Sequence, residues 1–197
     1  MLLRLFLALN PSPEVRKQLA LAQTHLRMAL EKTLDAQVTL RWTRPAQFHL
    51  TLLFLGNVLD DQLPTLTRAI QEATVPVRAP FSLRLDRYGC FPAVSRPRVF
   101  WIGIQASPPL NELQHRLAAG LSPRFALDAR DYAYPHVTLA RSRIERSLPH
   151  LQDFLRRLGL PEGFDAAWEA QRLSLMRSTL GAKGSEYESV QEFTLGV

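Results

Sequence analysis

Two histidines occur in the same short context, 87 residues apart. Phe48-His49-Leu50-Thr51-Leu52 and Pro135-His136-Val137-Thr138-Leu139 each place His-x-Thr-Leu inside an apolar run. Strand side chains alternate between faces, so His49 shares a face with Thr51 and His136 with Thr138, while Leu50 and Val137 turn toward a core. One such match is weak, because a lone His beside a β-favouring Thr is most often a satisfied core residue. Two matches in a chain with 5 His are on the order of one in a thousand by chance. An imidazole titrates at about pH 6.5, so one ring can take a proton from water while the other donates to a leaving oxygen. Adjacent hydroxyls can hydrogen-bond the non-bridging oxygens of a phosphate as charge builds there. This set suits metal-free attack at a phosphodiester. The residue types alone leave open which ring is the acid and which the base.

Competing chemistries fit less well. A zinc site needs a third protein ligand at a defined spacing, and neither motif carries an acid. His25, His115 and His150 fall in helical, amphipathic contexts and read as surface or cap residues. There is no G-x-S-x-G elbow, P-loop or G-x-G-x-x-G, which argues against triad hydrolysis and against nucleotide binding of those types. Cys90 is the only cysteine; it excludes an intramolecular disulfide and reads as a small buried hydrophobe.

Strands and helices must bring the motifs together. Residues 2–9 read as a buried strand ended by turn residues, and Ser12-Pro13-Glu14 starts a helix whose apolar stripe runs to about Leu34. A strand over 48–55, closed by Gly56-Asn57, carries the first motif. Asp60 and Asp61 open a second helix with Leu63, Leu66, Ile70 and Ala73 on one face. Alternation from Pro80 to Tyr88, a turn region from Gly89 to Pro97 and a strand over 98–104 follow. Ser107-Pro108 caps a third helix, and Tyr132 to Ala140 is the strand of the second motif. A short helix near 148–158 and strands near 170–177 and 186–195 complete the chain. Hairpin-like pairs interleaved with helices predict an α+β fold with largely antiparallel sheet. No linker divides the chain, so residues 1–197 read as one compact domain.

With 197 residues, 46% hydrophobic and 21% charged, the chain can bury a core and is not intrinsically disordered. Its formal charge of +6 comes from 21 Arg and 3 Lys against 18 acids. Most of the Arg excess reads as base composition, and Arg16, Arg27, Arg68, Arg116, Arg156 and Arg157 fall in helices away from either motif. Arg44, Arg98 and Arg141 lie where they could reach a phosphate, which a guanidinium fork suits. Phe6, Phe54 and Tyr134 read as core, with base stacking the alternative. The run Leu2–Leu9 is interrupted by Arg4 and lacks a cleavage site, and no apolar stretch approaches the roughly 20 residues of a membrane span. A soluble, cytoplasmic protein is expected.

The paired motifs resemble those of the 2H phosphoesterase superfamily, and more closely the RNA 2′,3′-cyclic phosphodiesterases, also called 2′-5′ RNA ligases. Arg4–Leu9, Arg98-Val99-Phe100-Trp101 and the closing segment from Leu175 through Gly184, Tyr187 and Phe193 support the likeness. Tyr132-Ala133-Tyr134 departs from the pattern, standing where a histidine or phenylalanine often precedes the second motif. The resemblance implies two similar lobes, each an antiparallel sheet backed by helices, around a central cleft. It implies hydrolysis of a terminal RNA 2′,3′-cyclic phosphate to a 2′-phosphate. The expected partners are RNA ends or nucleoside 2′,3′-cyclic phosphates, and a monomer without metal or cofactor is expected. His49 would donate a proton to the departing 3′-oxygen and His136 would activate water. Thr51 and Thr138 would hold phosphoryl oxygens, and Arg141 would contact phosphate. The alternatives are cleavage or reversible joining of 2′-5′-linked RNA, and an RNA-binding module without catalysis.

Overall fold

The computed structural model describes residues 1–34, 38–92, 96–125, 127, 134–181 and 184–196. Strand β1 (Leu2–Leu9) leads into helix α1 (Pro13–Glu31), whose first turn is capped by Ser12 Oγ accepting from the Val15 amide at 3.3 Å. Strand β2 (Leu40–Trp42) and a single 3-10 turn (Pro45–Gln47) precede β3 (Leu50–Leu59), and another 3-10 turn leads into α2 (Leu63–Thr74). Then come β4 (Phe81–Phe91), β5 (Val99–Ile104), α3 (Pro108–Leu121), β6 (His136–Ser142) and α4 (Leu151–Leu158). The strands β7 (Ala167–Ala170), β8 (Arg172–Gly181) and β9 (Gly184–Thr194) finish the fold.

All the strand pairings are antiparallel, in the order β7-β4-β5-β6-β3-β1-β8-β9, with β2 also on β6. Two halves meet where β3 lies beside β6, with Leu50 facing Val137. Helices α2 and α3 pack on each other, α3 against β3 and α2 against β9, so they back the β3-β1-β8-β9 half. Helix α1 backs the other half, because its Ala22 carbonyl accepts from Tyr88 of β4 and its Gln23 reaches Leu139 of β6; α4 lies against β4. Leu50 and Val137 are fully buried in the main core between sheet and helices. A second, smaller cluster of Phe6, Ala8 and Met176, with Phe54 and Tyr187 against it, marks the opposite face of the first half.

The predicted α+β class holds, with several local corrections. β3 runs through Gly56, which has φ +68°, to Leu59 instead of stopping there. Gly89 belongs to β4 rather than to a turn. A Cβ there would lie 2.2 Å from the Trp101 ring, so glycine lets the indole lie flat across the neighbouring strand. Ser107 heads α3 without a side-chain cap hydrogen bond. β2, β7 and the Pro45–Gln47 turn are too short for periodicity to reveal. Tyr132 and Ala133 lie outside the described residues.

Gln23 is a buried polar side chain on α1. Its Nε2 donates to the Thr43 and Leu139 carbonyls, both at 2.8 Å, tying the approach to the first motif to the strand of the second. Gln23→Leu removes the donor to the Thr43 carbonyl, while the Leu139 carbonyl keeps the Thr43 amide at 2.9 Å. Chemical denaturation is expected to show a loss of about 1–3 kcal/mol with an unchanged m-value.

Candidate active site

The β3–β6 register brings the two motifs together. With Leu50 opposite Val137, one step along the antiparallel pair sets His49 across from Thr138 and Thr51 across from His136. All four share the face turned away from the helices, because Leu50 and Val137 are the buried residues between them. Each histidine stands opposite the other motif's threonine. The two imidazoles are therefore diagonal neighbours, a spacing of roughly 7–8 Å in a regular sheet, with Cβ atoms somewhat closer.

Each ring is oriented by the backbone two residues before it. His49 Nδ1 lies 2.7 Å from the Gln47 carbonyl, and His136 Nδ1 lies 2.7 Å from the Tyr134 carbonyl. A carbonyl can only accept, so both Nδ1 atoms carry hydrogen, and each neutral ring has its lone pair on Nε2. His49 stands just before β3 rather than inside it, since the Pro45–Gln47 turn supplies the carbonyl that holds it.

Aromatic rings wall both histidines. Phe6 and Tyr187 lie 5.1 and 5.0 Å from the His49 ring, Tyr187 edge-on. Phe91 meets His136 edge-on at 5.1 Å, and Trp101 lies 6.0 Å from it. Of the aromatics singled out in the sequence, Phe6 is buried against His49. Phe54 is half-buried beside Phe6, and Tyr134 is exposed at 6.0 Å from Phe91. The sequence hides Phe91 in a stretch that reads as a turn, and Tyr187 and Trp101 lie in the segments that carry the resemblance.

Burial lowers the proton affinity of His49 most, taking its pKa from 6.5 to about 4 against the opposing pull of the Gln47 carbonyl. The positive fields of Arg141, His136 and Arg16 lower it further. Arg141 is exposed on β6, opposite Arg41 and Val99, and no described carboxylate pairs with it. Its influence on His49 makes it the cation nearest to uncommitted in the site. Arg44 and Arg98 are instead engaged at the surface with Glu186 (3.6 Å) and Glu145 (3.2 Å). Arg16 is a correction: placed away from the motifs on sequence, it reaches the turn before His49. Its Nη1 donates to the Pro45 and Ala46 carbonyls at 3.2 and 2.9 Å. No described residue hydrogen-bonds the hydroxyl of Thr51 or Thr138, and both are half-buried on the shared face.

The remaining histidines stand elsewhere. His25 packs on Tyr88 of β4, His115 lines an open groove of about 490 Å³ between α2 and α3, and His150 precedes α4. Among the described residues no group of three or more His, Cys, Asp or Glu is placed to hold a metal ion.

Comparison with known proteins fits this geometry. The sequence model of the 2′-5′ RNA ligase superfamily matches residues 41–182, a span that includes both motifs and the β3–β6 junction. The chain belongs to that superfamily. Among its superfamily relatives, an RNA 2′,3′-cyclic phosphodiesterase of Thermus thermophilus is 32% identical over 202 residues, covering 98% of this chain and 90% of the relative. Another, of Aquifex aeolicus, is 31% identical and covers 85% and 88% of the two chains. The fold is shared with the crystal structure of TT0787 of Thermus thermophilus, with TM-score 0.76, 30% identity and 98% of each chain covered. E. coli LigT complexed with 3′-AMP shares the fold at TM-score 0.73, 24% identity and 99% of each chain.

Proposed function

We propose that this chain hydrolyses terminal RNA 2′,3′-cyclic phosphates to 2′-phosphates, using His49 and His136 as acid and base and Thr51 and Thr138 to hold the phosphoryl oxygens. The observation that supports this most is the crossed pairing of the motifs, which stands each histidine opposite the other motif's threonine at the β3–β6 junction. The relatives' names, RNA 2′,3′-cyclic phosphodiesterase, point to the same substrate class.

In the proposed step, His136 Nε2 takes a proton from water as the water oxygen bonds to phosphorus. The bond from phosphorus to the 3′-oxygen breaks, and that oxygen takes the proton on His49 Nε2. The products are a 3′-hydroxyl and a 2′-phosphomonoester, with one water consumed. Solvent then returns the proton from His136 to His49. The threonine hydroxyls donate to the non-bridging oxygens, where charge concentrates in the transition state. Arg141 contributes positive charge at the mouth of the site, and the aromatic walls around both rings exclude water.

His49 is neutral in the free protein at pH 7, and as a donor it must gain a proton. A bound phosphodiester anion supplies the cause, because its charge favours the protonated ring against burial, the main reason for the lowered pKa, and against the three positive fields. Substrate binding and proton uptake are therefore coupled in this scheme.

The same groups run the reaction backward to a 2′-5′ linkage by microscopic reversibility, so weak joining of RNA ends is compatible with the site. No cofactor is needed, and the partners are RNA ends or nucleoside 2′,3′-cyclic phosphates acted on by a monomer in the cytoplasm. No described helix is long and apolar enough to cross a membrane. Turnover of 2′,3′-cyclic AMP is expected to be unchanged by excess EDTA, followed by chromatography of the products. Activity lost to chelator and restored by zinc would replace this scheme with metal-activated water. Turnover of 2′-5′-linked dinucleotides alone would keep the chemistry and change the substrate.

A further inference from the structure

The side chain that holds the His49 turn has no role in the proton transfers above. The Pro45–Gln47 turn is pinned from two sides. On one side, Gln47 Nε2 donates to the Ser185 carbonyl of β9 at 3.1 Å. On the other, the half-buried Arg16 donates to backbone from two of its nitrogens: Nε to the Pro11 carbonyl at 3.2 Å, and Nη1 to Pro45 and Ala46. No described carboxylate pairs with this guanidinium, in contrast to Arg44, Arg68, Arg84 and Arg177. The next carbonyl along the chain, that of Gln47, is the one that receives His49 Nδ1–H.

We propose that Arg16 is a positioning residue for His49: by holding the Pro45 and Ala46 carbonyls toward α1, it sets the peptide plane of Gln47 that fixes the ring's tautomer and direction. The inference rests on the catalytic role proposed for His49, and it connects the first turn of α1 to that ring. Three consecutive residues have their carbonyls committed, two to Arg16 and one to the imidazole, so a shift of the turn moves the donor Nε2 relative to the phosphoryl site. A displacement near 1 Å at a reacting group costs about 100-fold in rate. The planar fork spans from the Pro11 carbonyl at Nε to the Pro45 and Ala46 carbonyls at Nη1, a reach from two fixed nitrogens that a single ammonium does not reproduce. The charge of Arg16 also opposes protonation of the His49 ring.

The test pairs kinetics with ¹⁵N spectra of the histidine rings. For Arg16→Ala, kcat on 2′,3′-cyclic AMP is expected to fall about 10- to 100-fold, with KM changed far less. The His49 ¹⁵N signals should move from the pure Nδ1–H form toward a mixture of tautomers, while those of His136 stay in place. Arg16→Lys keeps the charge without the fork and is expected to show the same losses to a smaller degree; it also serves if Arg16→Ala does not fold. Wild-type kcat in Arg16→Lys would reduce the role to charge alone and overturn the proposal. So would a fall in kcat with the His49 spectrum unchanged, which is the mark of a structural role elsewhere. The spectra require no turnover. If the wild-type chain hydrolyses no cyclic phosphate, the proposed function fails, while the tautomer comparison still decides whether Arg16 orients the ring.

Discussion

His49→Ala and His136→Ala are each expected to lower kcat on a nucleoside 2′,3′-cyclic phosphate by about 10²–10⁴-fold, the usual contribution of a positioned acid or base. Both variants should fold. Neither ring belongs to the main core, and the buried Leu50 and Val137 at the β3–β6 junction are untouched. The double variant is expected to be little worse than the poorer single one. Once either proton transfer is lost, the other ring has no concerted partner, and groups acting as a unit are strongly non-additive. Steady-state kinetics on the three variants, with circular dichroism to confirm folding, supply the check. Undiminished turnover in either single variant would remove that histidine from the mechanism. Binding of RNA retained by all forms, with no turnover by wild type on any cyclic phosphate, would make the chain a binding module.

The second large effect concerns the proton on His49. Folding lowers this ring from 6.5 to about 4, so between those values the unfolded chain binds more protons than the folded one. Stability contributed by this group is therefore lost as pH falls from 6.5 toward 4, by at most about 1.4 kcal/mol per pH unit. A bound tetrahedral anion acts the other way, because its negative charge favours the protonated ring against burial and against the positive fields of Arg141, His136 and Arg16. Sulfate is the suitable probe, as its own charge does not change over this range. Saturating sulfate is expected to raise the His49 titration by about one to three pH units, read from its ring resonances. Sulfate should consequently bind more tightly at pH 5 than at pH 8 and protect more strongly against unfolding there. A His49 titration that stays near its free value with sulfate bound would leave the ring neutral in the complex. The donor role would then pass to His136.

Much of this architecture was legible in the sequence because its signals are local. Ser12-Pro13-Glu14 specifies the start of α1 through capping, and the apolar runs at 2–9 and 98–104 emerge as β1 and β5. The His-x-Thr pairs show which side chains share a face, since strand periodicity is fixed by covalent geometry. Registers between distant segments carry no such local signal. That Leu50 meets Val137, and hence that each histidine faces the other motif's threonine, follows from packing along the whole sheet. For the same reason the sequence places Arg16 away from the motifs. Its helix is amphipathic and unremarkable, and only the path of 45–47 across the start of α1 makes it part of the site. Gly89 read as a turn former, yet its lack of a side chain serves the flat Trp101 ring two strands from His49. The Arg excess also divides by location. Arg68, Arg116 and Arg156 form short-range surface pairs on their own helices, whereas Arg16 and Arg141 bear on His49.

The most direct measurement is the fate of water oxygen. An RNA oligonucleotide ending in a 2′,3′-cyclic phosphate is incubated with the wild-type chain in ¹⁸O-water, and the product is analysed by mass spectrometry and chromatography. The two-histidine scheme predicts a 2′-phosphate carrying one ¹⁸O on phosphorus and a free, unlabelled 3′-hydroxyl. A 3′-phosphate product, or a cyclic end returned intact by a folded protein, would contradict it.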